Sequence, residues 1–158
     1  TVNSIYKLSA SGCKLDRIAQ DRAMSFPNGI ALTPDGSRLY VAHVEGISVI
    51  DVRTGKRTQL SVPKNAAVNS IDGLVWQGKD LLGIQPTPYL ARVARIRLGD
   101  GGLSIREVTT MSSRPPPGLN LATGVVVNDH YYIAANVPDA APGQQQQLRS
   151  TILRSRVR

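Results

Sequence analysis

Residues 28–32 read Asn-Gly-Ile-Ala-Leu, and after a turn with Pro-Asp-Gly at 34–36 the chain continues as Leu-Tyr-Val-Ala-His at 39–43. Two apolar runs that flank a turn of this composition are typical of a β-hairpin. The pattern returns at 72–85, beginning Asp-Gly-Leu-Val-Trp, and at 123–136, beginning Thr-Gly-Val-Val-Val. The repeated glycines are therefore 44 and 51 residues apart. A repeat of that length is the size of a propeller blade, which has four strands.

The fold expected from this repeat is all-β, a β-propeller of four-stranded antiparallel blades, with about three blades in this chain. Residues 1–25 supply the last strands of a preceding blade, 26–65 and 70–112 are blades, and 120–158 form an incomplete final blade. Because an open row of blades leaves unpaired edges, the rest of the ring is missing from this chain. Either a preceding part of the protein supplies the missing blades, or copies of the chain associate. The thirteen expected strands favour a preceding part, because doubling them does not give a whole number of four-stranded blades.

Composition excludes several classes of protein. Hydrophobic residues make up 41% and charged residues 19%, as in ordinary globular proteins, and the sequence has no apolar run of about 18 residues that would cross a membrane. The single cysteine, Cys13, excludes an internal disulfide. The chain starts at Thr1 without an initiator methionine, so we expect any signal peptide to be absent or already removed, and a processed start slightly favours a periplasmic or secreted protein over a cytoplasmic one.

The formal net charge of +8 raises the question of nucleic acid. The arginines at 92, 95 and 97 alternate with apolar residues, however, as on the solvated face of a strand. Aromatic residues, on which bases would stack, are only 4% of the chain. We therefore expect no nucleic-acid partner.

The residues that precede the repeated glycines are Asn28, Asp72 and Thr123. In a propeller each should project toward the central channel, where amide and carboxylate oxygens suit a hard cation. The prediction is a divalent metal site with Asn28 and Asp72 as ligands, Ca²⁺ first, with Mg²⁺, Mn²⁺ or Zn²⁺ as alternatives. The other reading is structural, since Asn-Gly and Asp-Gly are also common tight-turn pairs.

A second ring is formed by the polar residues at the end of the second strand of each repeat, namely His43, Gln85 and Asn136. With Thr123, these residues are predicted to bind a polar substrate. His43 has the chemistry of a general base near neutral pH, although a histidine at a strand end is more often a hydrogen-bonded structural residue. The sequence has no Gly-x-Ser-x-Gly elbow, phosphate loop or His-Glu-x-x-His helix that would indicate another class of hydrolase.

Residues 26–42, with Phe-Pro-Asn-Gly-Ile-Ala-Leu-Thr-Pro-Asp-Gly at their start, and Ile-Asp-Gly-Leu at 71–74 resemble the gluconolactonase, regucalcin and luciferin-regenerating enzyme family of six-bladed propellers. Strictosidine synthase-like and paraoxonase-like propellers share the Pro-Asn-Gly style of inner turn. The resemblance implies three blades of a six-bladed ring. It also implies that Asn28 and Asp72 are metal ligands beside a glutamate from the missing portion.

The activity that this resemblance implies is a metal-dependent hydrolase of a lactone or related small ester. Asp72 would be both a metal ligand and a catalytic proton acceptor. The alternative is a non-catalytic propeller that binds a ligand or a protein as a scaffold.

Overall fold

The computed structural model describes residues 3–86, 91–113, 119–137 and 149–157. Within these ranges, thirteen strands form four antiparallel sheets of two, four, four and three strands. The first sheet is β1 (Asn3–Leu8) with β2 (Leu15–Asp21), and the second is β3 (Ile30–Leu32), β4 (Arg38–His43), β5 (Gly46–Asp51) and β6 (Arg57–Gln59). The third is β7 (Leu74–Gln77), β8 (Asp80–Gln85), β9 (Arg92–Leu98) and β10 (Ile105–Ser113), and the fourth is β11 (Asn120–Val127), β12 (His130–Val137) and β13 (Arg149–Arg156).

Each sheet is a meander in which strands consecutive in sequence are also neighbours in space. The hairpin between β3 and β4 turns through Gly36, and the one between β7 and β8 turns through Gly78, both with positive φ. A 3-10 turn at Asp100–Gly102 connects β9 to β10. Four-stranded antiparallel meanders are the form of propeller blades, so the all-β prediction is confirmed. Residues 87–90 and 138–148 of the last two predicted units lie outside the described residues.

The core lies between the sheets. Along β4, Leu39 and Val41 pack toward the first sheet, whereas Tyr40 and Ala42 pack toward the third. Successive side chains of a strand point to opposite faces, so an unbroken apolar run shows that both faces are covered. A third cluster, which includes Leu82 and Tyr131, joins the third and fourth sheets. The four sheets are thus packed face to face in chain order.

Candidate functional site

Asn28 and Asp72 occupy equivalent places just before the innermost strands β3 and β7. The Asn28 N–H donates to the carbonyl of Ala42 at 2.9 Å, and the Asp72 N–H donates to the carbonyl of Ile84 at 2.8 Å. Each therefore extends the ladder that joins the first strand of its sheet to the second. The repeat in the sequence is a repeat in the backbone hydrogen bonding.

The glycine that follows each of these residues allows neighbouring sheets to approach closely. A Cβ at Gly29 would lie 2.5 Å from the backbone nitrogen of Leu74 and 2.6 Å from the backbone carbonyl oxygen of Asp72. Neither Gly29 nor Gly73 has a positive φ. The tight-turn reading of the Asn-Gly and Asp-Gly pairs is therefore wrong, because these glycines are needed for interstrand approach and not for a left-handed turn conformation.

This approach brings the Asn28 and Asp72 side chains into contact. Asn28 Nδ2 donates a hydrogen bond to Asp72 Oδ1, from one sheet to the next. Asn28 is exposed and Asp72 is half-buried. Both line an open cavity of about 260 Å³, whose described walls are Phe26, Asn28, His43, Val44, Ser70, Ile71, Asp72 and Pro86.

His43 also borders this cavity, but its ring is held from both sides. Its Nδ1 lies 2.8 Å from Glu45 Oε2, and its Nε2 lies 2.9 Å from Ser48 Oγ. Hydrogen bonds from the Ser25 hydroxyl, which has the larger effect, and from His43 lower the pKa of the Glu45 carboxylate to about 2. With 1% of its surface exposed and both ring nitrogens engaged, His43 has the geometry of a structural histidine.

Gln85 holds the corresponding place in the third sheet and is equally buried, at 1% exposure. Its Nε2 donates to the Asn69 carbonyl at 2.7 Å, and its Oε1 accepts from Arg92 Nε at 2.7 Å. Arg92 Nη2 also donates to the carbonyl of Ala67 at 2.8 Å. Gln85 therefore ties the 67–69 segment to β9, and it is not among the described walls of the cavity.

In the third repeat, the structural positions of the residues differ by one from those that the sequence alignment predicts. A Cβ on Gly73 would lie 2.8 Å from both the Ala122 oxygen and the Thr123 Cα. Thr123 is thus level with Gly73, so Ala122 holds the position that Asn28 and Asp72 hold in the earlier repeats. A register shift between Leu121 and Thr123 accompanies this offset.

Thr123 and Asn136 are both exposed, and neither is among the described walls of the cavity. Asn136 lies opposite Asn120 on one side and Ser150 on the other. The structure therefore brings together Asn28, Asp72 and the edge of His43. Thr123, Gln85 and Asn136 are not among the described walls of this cavity.

Five residues of the described wall were not among the predicted site residues, namely Phe26, Val44, Ser70, Ile71 and Pro86. Phe26 stands two residues before Asn28, and Ser70 stands two residues before Asp72. Extending the repeat backwards by two positions would have found them. No group of three His, Cys, Asp or Glu side chains that could hold a metal ion occurs in the described part of the chain.

The inner-strand packing and the blade-like sheets define a class of protein, the β-propellers. No protein-family model matches the sequence, and no curated protein matches it. The PQQ-bound aldose sugar dehydrogenase of Streptomyces coelicolor is similar with a TM-score of 0.57 and 17% identity over 85% of this chain and 41% of its own.

Two further solved propellers are similar to this chain over most of its length. Luciferin-regenerating enzyme has a TM-score of 0.57 and 14% identity, covering 84% of this chain and 43% of its own. The N-terminal domain of Nup159 has a TM-score of 0.56 and 10% identity, covering 98% of this chain and 40% of its own. These likenesses show the propeller fold, and the chain spans about two fifths of each structure. The described residues include no helix with the length and apolar character needed to cross a membrane.

Proposed function

We propose that the protein containing this chain is a metal-dependent hydrolase of a lactone or a related small ester. The observation that carries the proposal is the contact between Asn28 and Asp72, two oxygen-bearing side chains from adjacent sheets at one open cavity. The sequence resemblance to the gluconolactonase-like propellers assigns both residues to a metal site. Ca²⁺ is the first candidate because it prefers carboxylate and amide oxygens.

The two side chains fit part of the ligand shell of such a cation. Oxygens that share one Ca²⁺ each lie about 2.3–2.6 Å from it, so ligand side chains must be in near contact, as this pair is. Asn28 directs Nδ2 toward Asp72, and a half-turn of its amide group would present Oδ1 instead. Because Ca²⁺ takes about 6–8 oxygens, backbone carbonyls, water and other blades of the ring would supply the remainder.

A bound divalent cation would polarise the substrate carbonyl and lower the pKa of an adjacent water. In this proposal Asn28 and Asp72 hold and orient the site, and Asp72 accepts a proton through the carboxylate oxygen not used for binding. His43 has a structural role in this proposal, since Glu45 and Ser48 occupy its ring nitrogens. Its buried ring closes one side of the cavity against water.

The second candidate is a non-catalytic propeller that binds a ligand. One observation favours it: Asn28 and Asp72 satisfy one another through a direct hydrogen bond, which needs no cation. In that case the same cavity would recognise a polar ligand, and the pair would be part of its wall.

The test is calcium binding by calorimetry, together with hydrolysis of simple lactones, in the purified protein. Asn28→Ala and Asp72→Ala should each weaken calcium binding by roughly tenfold or more, since each removes one charge-assisted or polar contact. The matched control is Asp16→Ala, which removes an exposed carboxylate from the first sheet and should change neither property.

The outcomes separate the two candidates. Unchanged metal binding and unchanged rates in both variants would remove the enzyme proposal. A wild-type protein that neither binds calcium nor hydrolyses a lactone would favour the ligand-binding propeller.

A further inference from the structure

Phe26 and Ser70 share an unusual backbone conformation at matching places in two repeats. Their φ angles are 49° and 53°, in the left-handed region. Each stands two residues before a proposed metal ligand, and each lines the cavity that contains Asn28 and Asp72. The coincidence of conformation, repeat position and cavity links these residues to the site.

The conformation is costly for Phe26. A bulky residue with φ above zero is a genuine outlier, because its Cβ crowds the following carbonyl oxygen. Phe26 also precedes Pro27, which normally pushes the preceding residue into an extended conformation. Residues held in such conformations cluster at binding sites, where the strain places a side chain.

Packing within the fold does not account for a phenylalanine here. The side chain is 80% exposed, the largest exposure among the big apolar residues described. A glycine would adopt the same φ without strain, and a polar residue would be better hydrated. What the phenylalanine adds is an aromatic face at the mouth of the cavity.

Two more apolar residues share that mouth. Val44 is 45% exposed and Pro86 is half-buried, and both line the cavity with Phe26. The polar groups of Asn28 and Asp72 line the same cavity. We refer to Phe26, Val44 and Pro86 as the apolar rim.

We propose that the apolar rim binds an alkyl or aryl substituent of the substrate while its carbonyl lies over Asn28 and Asp72. This inference rests on the proposed function and names its substrate class, a lactone or ester with an apolar group and not a polyhydroxylated sugar lactone. Burial of apolar surface favours the substituted substrate, whereas a sugar hydroxyl against Phe26 would lose hydration without gaining a partner.

The test compares three lactones with the same six-membered ring: δ-valerolactone, δ-decalactone with its pentyl chain, and D-glucono-1,5-lactone. We expect kcat/KM for δ-decalactone to exceed that for the other two by roughly tenfold or more, through a lower KM. In Phe26→Gly this preference should fall to about twofold.

Stability distinguishes this role from a structural one. Because glycine relieves the left-handed strain, Phe26→Gly should melt at the same temperature or up to about 3 °C higher while losing its preference. The matched control is Asn128→Gly, since Asn128 also has a positive φ, 55°, and is not among the described cavity walls. That variant should keep both the fold and the substrate preference.

A binding measurement separates this inference from the proposed function. 6-Pentylpiperidin-2-one, the lactam analogue of δ-decalactone, should bind in calorimetry roughly tenfold more weakly to Phe26→Gly than to the wild type, even if no lactone is hydrolysed. Equal lactam binding by both proteins, or an unchanged lactone preference in Phe26→Gly, would overturn the apolar rim as a substrate site.

Discussion

The third sheet meets its two neighbours in different ways. Toward the second sheet, Gly29 lies against Gly73, and the side chains before them, Asn28 and Asp72, touch. Toward the fourth sheet, Gly73 lies level with Thr123, and the preceding residue there is Ala122. Close packing of inner strands is thus common to both junctions, but only the first adds a polar pair to it.

The difference shows that blade repetition alone does not create a site. The same backbone approach supports a hydrogen-bonded polar pair at one junction and an apolar residue at the other. A site forms where the packing register and the residue type coincide. The comparison can be tested at the glycines, at the polar pair and at the buried polar residues of the two sheets.

The largest effect is expected from Gly29→Ala. Its new Cβ would meet backbone atoms of Asp72 and Leu74 at 2.6 and 2.5 Å, and backbone cannot move aside as a flexible side chain can. We expect a loss of about 3 kcal/mol in the free energy of unfolding, measured by urea denaturation, and about 2 kcal/mol for Gly73→Ala, whose contacts are longer.

The control for both glycine variants is Gly12→Ala. A Cβ there would find no atom within 4 Å, and Gly12 has no positive φ. Its stability should change by less than about 0.5 kcal/mol. Equal losses for all three variants would show that close approach of the inner strands is not what the repeated glycines provide.

A smaller effect is expected from the polar pair itself. In a double-mutant cycle of Asn28→Ala and Asp72→Ala without added metal, the coupling energy should be about 0.5–1 kcal/mol, because the pair is open to solvent. Repeating the cycle with Thr123→Ala in place of Asn28→Ala should give a coupling near zero. A Thr123–Asp72 coupling as large as the Asn28–Asp72 coupling would remove the distinction between the two junctions.

The smallest effect is expected at low pH, at the polar residues around the buried His43. Glu45, beside His43, has its pKa lowered from 4.5 to about 2 by hydrogen bonds from Ser25 and His43. A lowered pKa means that its contribution to stability is present above about pH 4.5 and is lost as the pH falls through about 2. Urea midpoints measured between pH 6 and pH 2 should therefore fall less steeply in Glu45→Gln than in the wild type.

The control is Gln85, which holds in the third sheet the place that His43 holds in the second. Gln85 is hydrogen-bonded to Arg92 and to a backbone carbonyl, and neither titrates in this range. Gln85→Met should lower stability by a similar amount at every pH and leave the slope unchanged. A pH slope identical in Glu45→Gln and wild type would contradict the assigned role of Glu45.

Much of the fold could be predicted from local pattern. The turns at Gly36 and Gly78, each between two apolar runs, indicated hairpins, and the spacing of Gly29 and Gly73 indicated blades. The placement of Thr123 could not be predicted, because a register shift of one residue leaves no mark on an apolar run such as 125–127. Aligning the three glycines in sequence placed Thr123 level with Asp72, one position before its actual place level with Gly73.

The site was predictable only in part, for a related reason. Residue type shows that Asn28 and Asp72 carry side-chain oxygens, and their matching repeat positions predicted that they lie together. That His43 and Gln85 are buried and hydrogen-bonded on both sides depends on Glu45, in the turn after β4, and on Ser48 and Arg92. The pairing of Ser48 and Arg92 with them follows from the register of neighbouring strands.

The sequence by itself determined the all-β architecture and the repeat, because side-chain alternation and turn chemistry act over a few residues and need no distant partner. Tertiary structure alone decided that Asn28 touches Asp72, that Ala122 takes the third position, and that Phe26 is left exposed in a strained conformation at the cavity mouth. These are properties of packing between sheets, where a shift of one residue changes which side chains meet, and nothing within a single repeat specifies that shift.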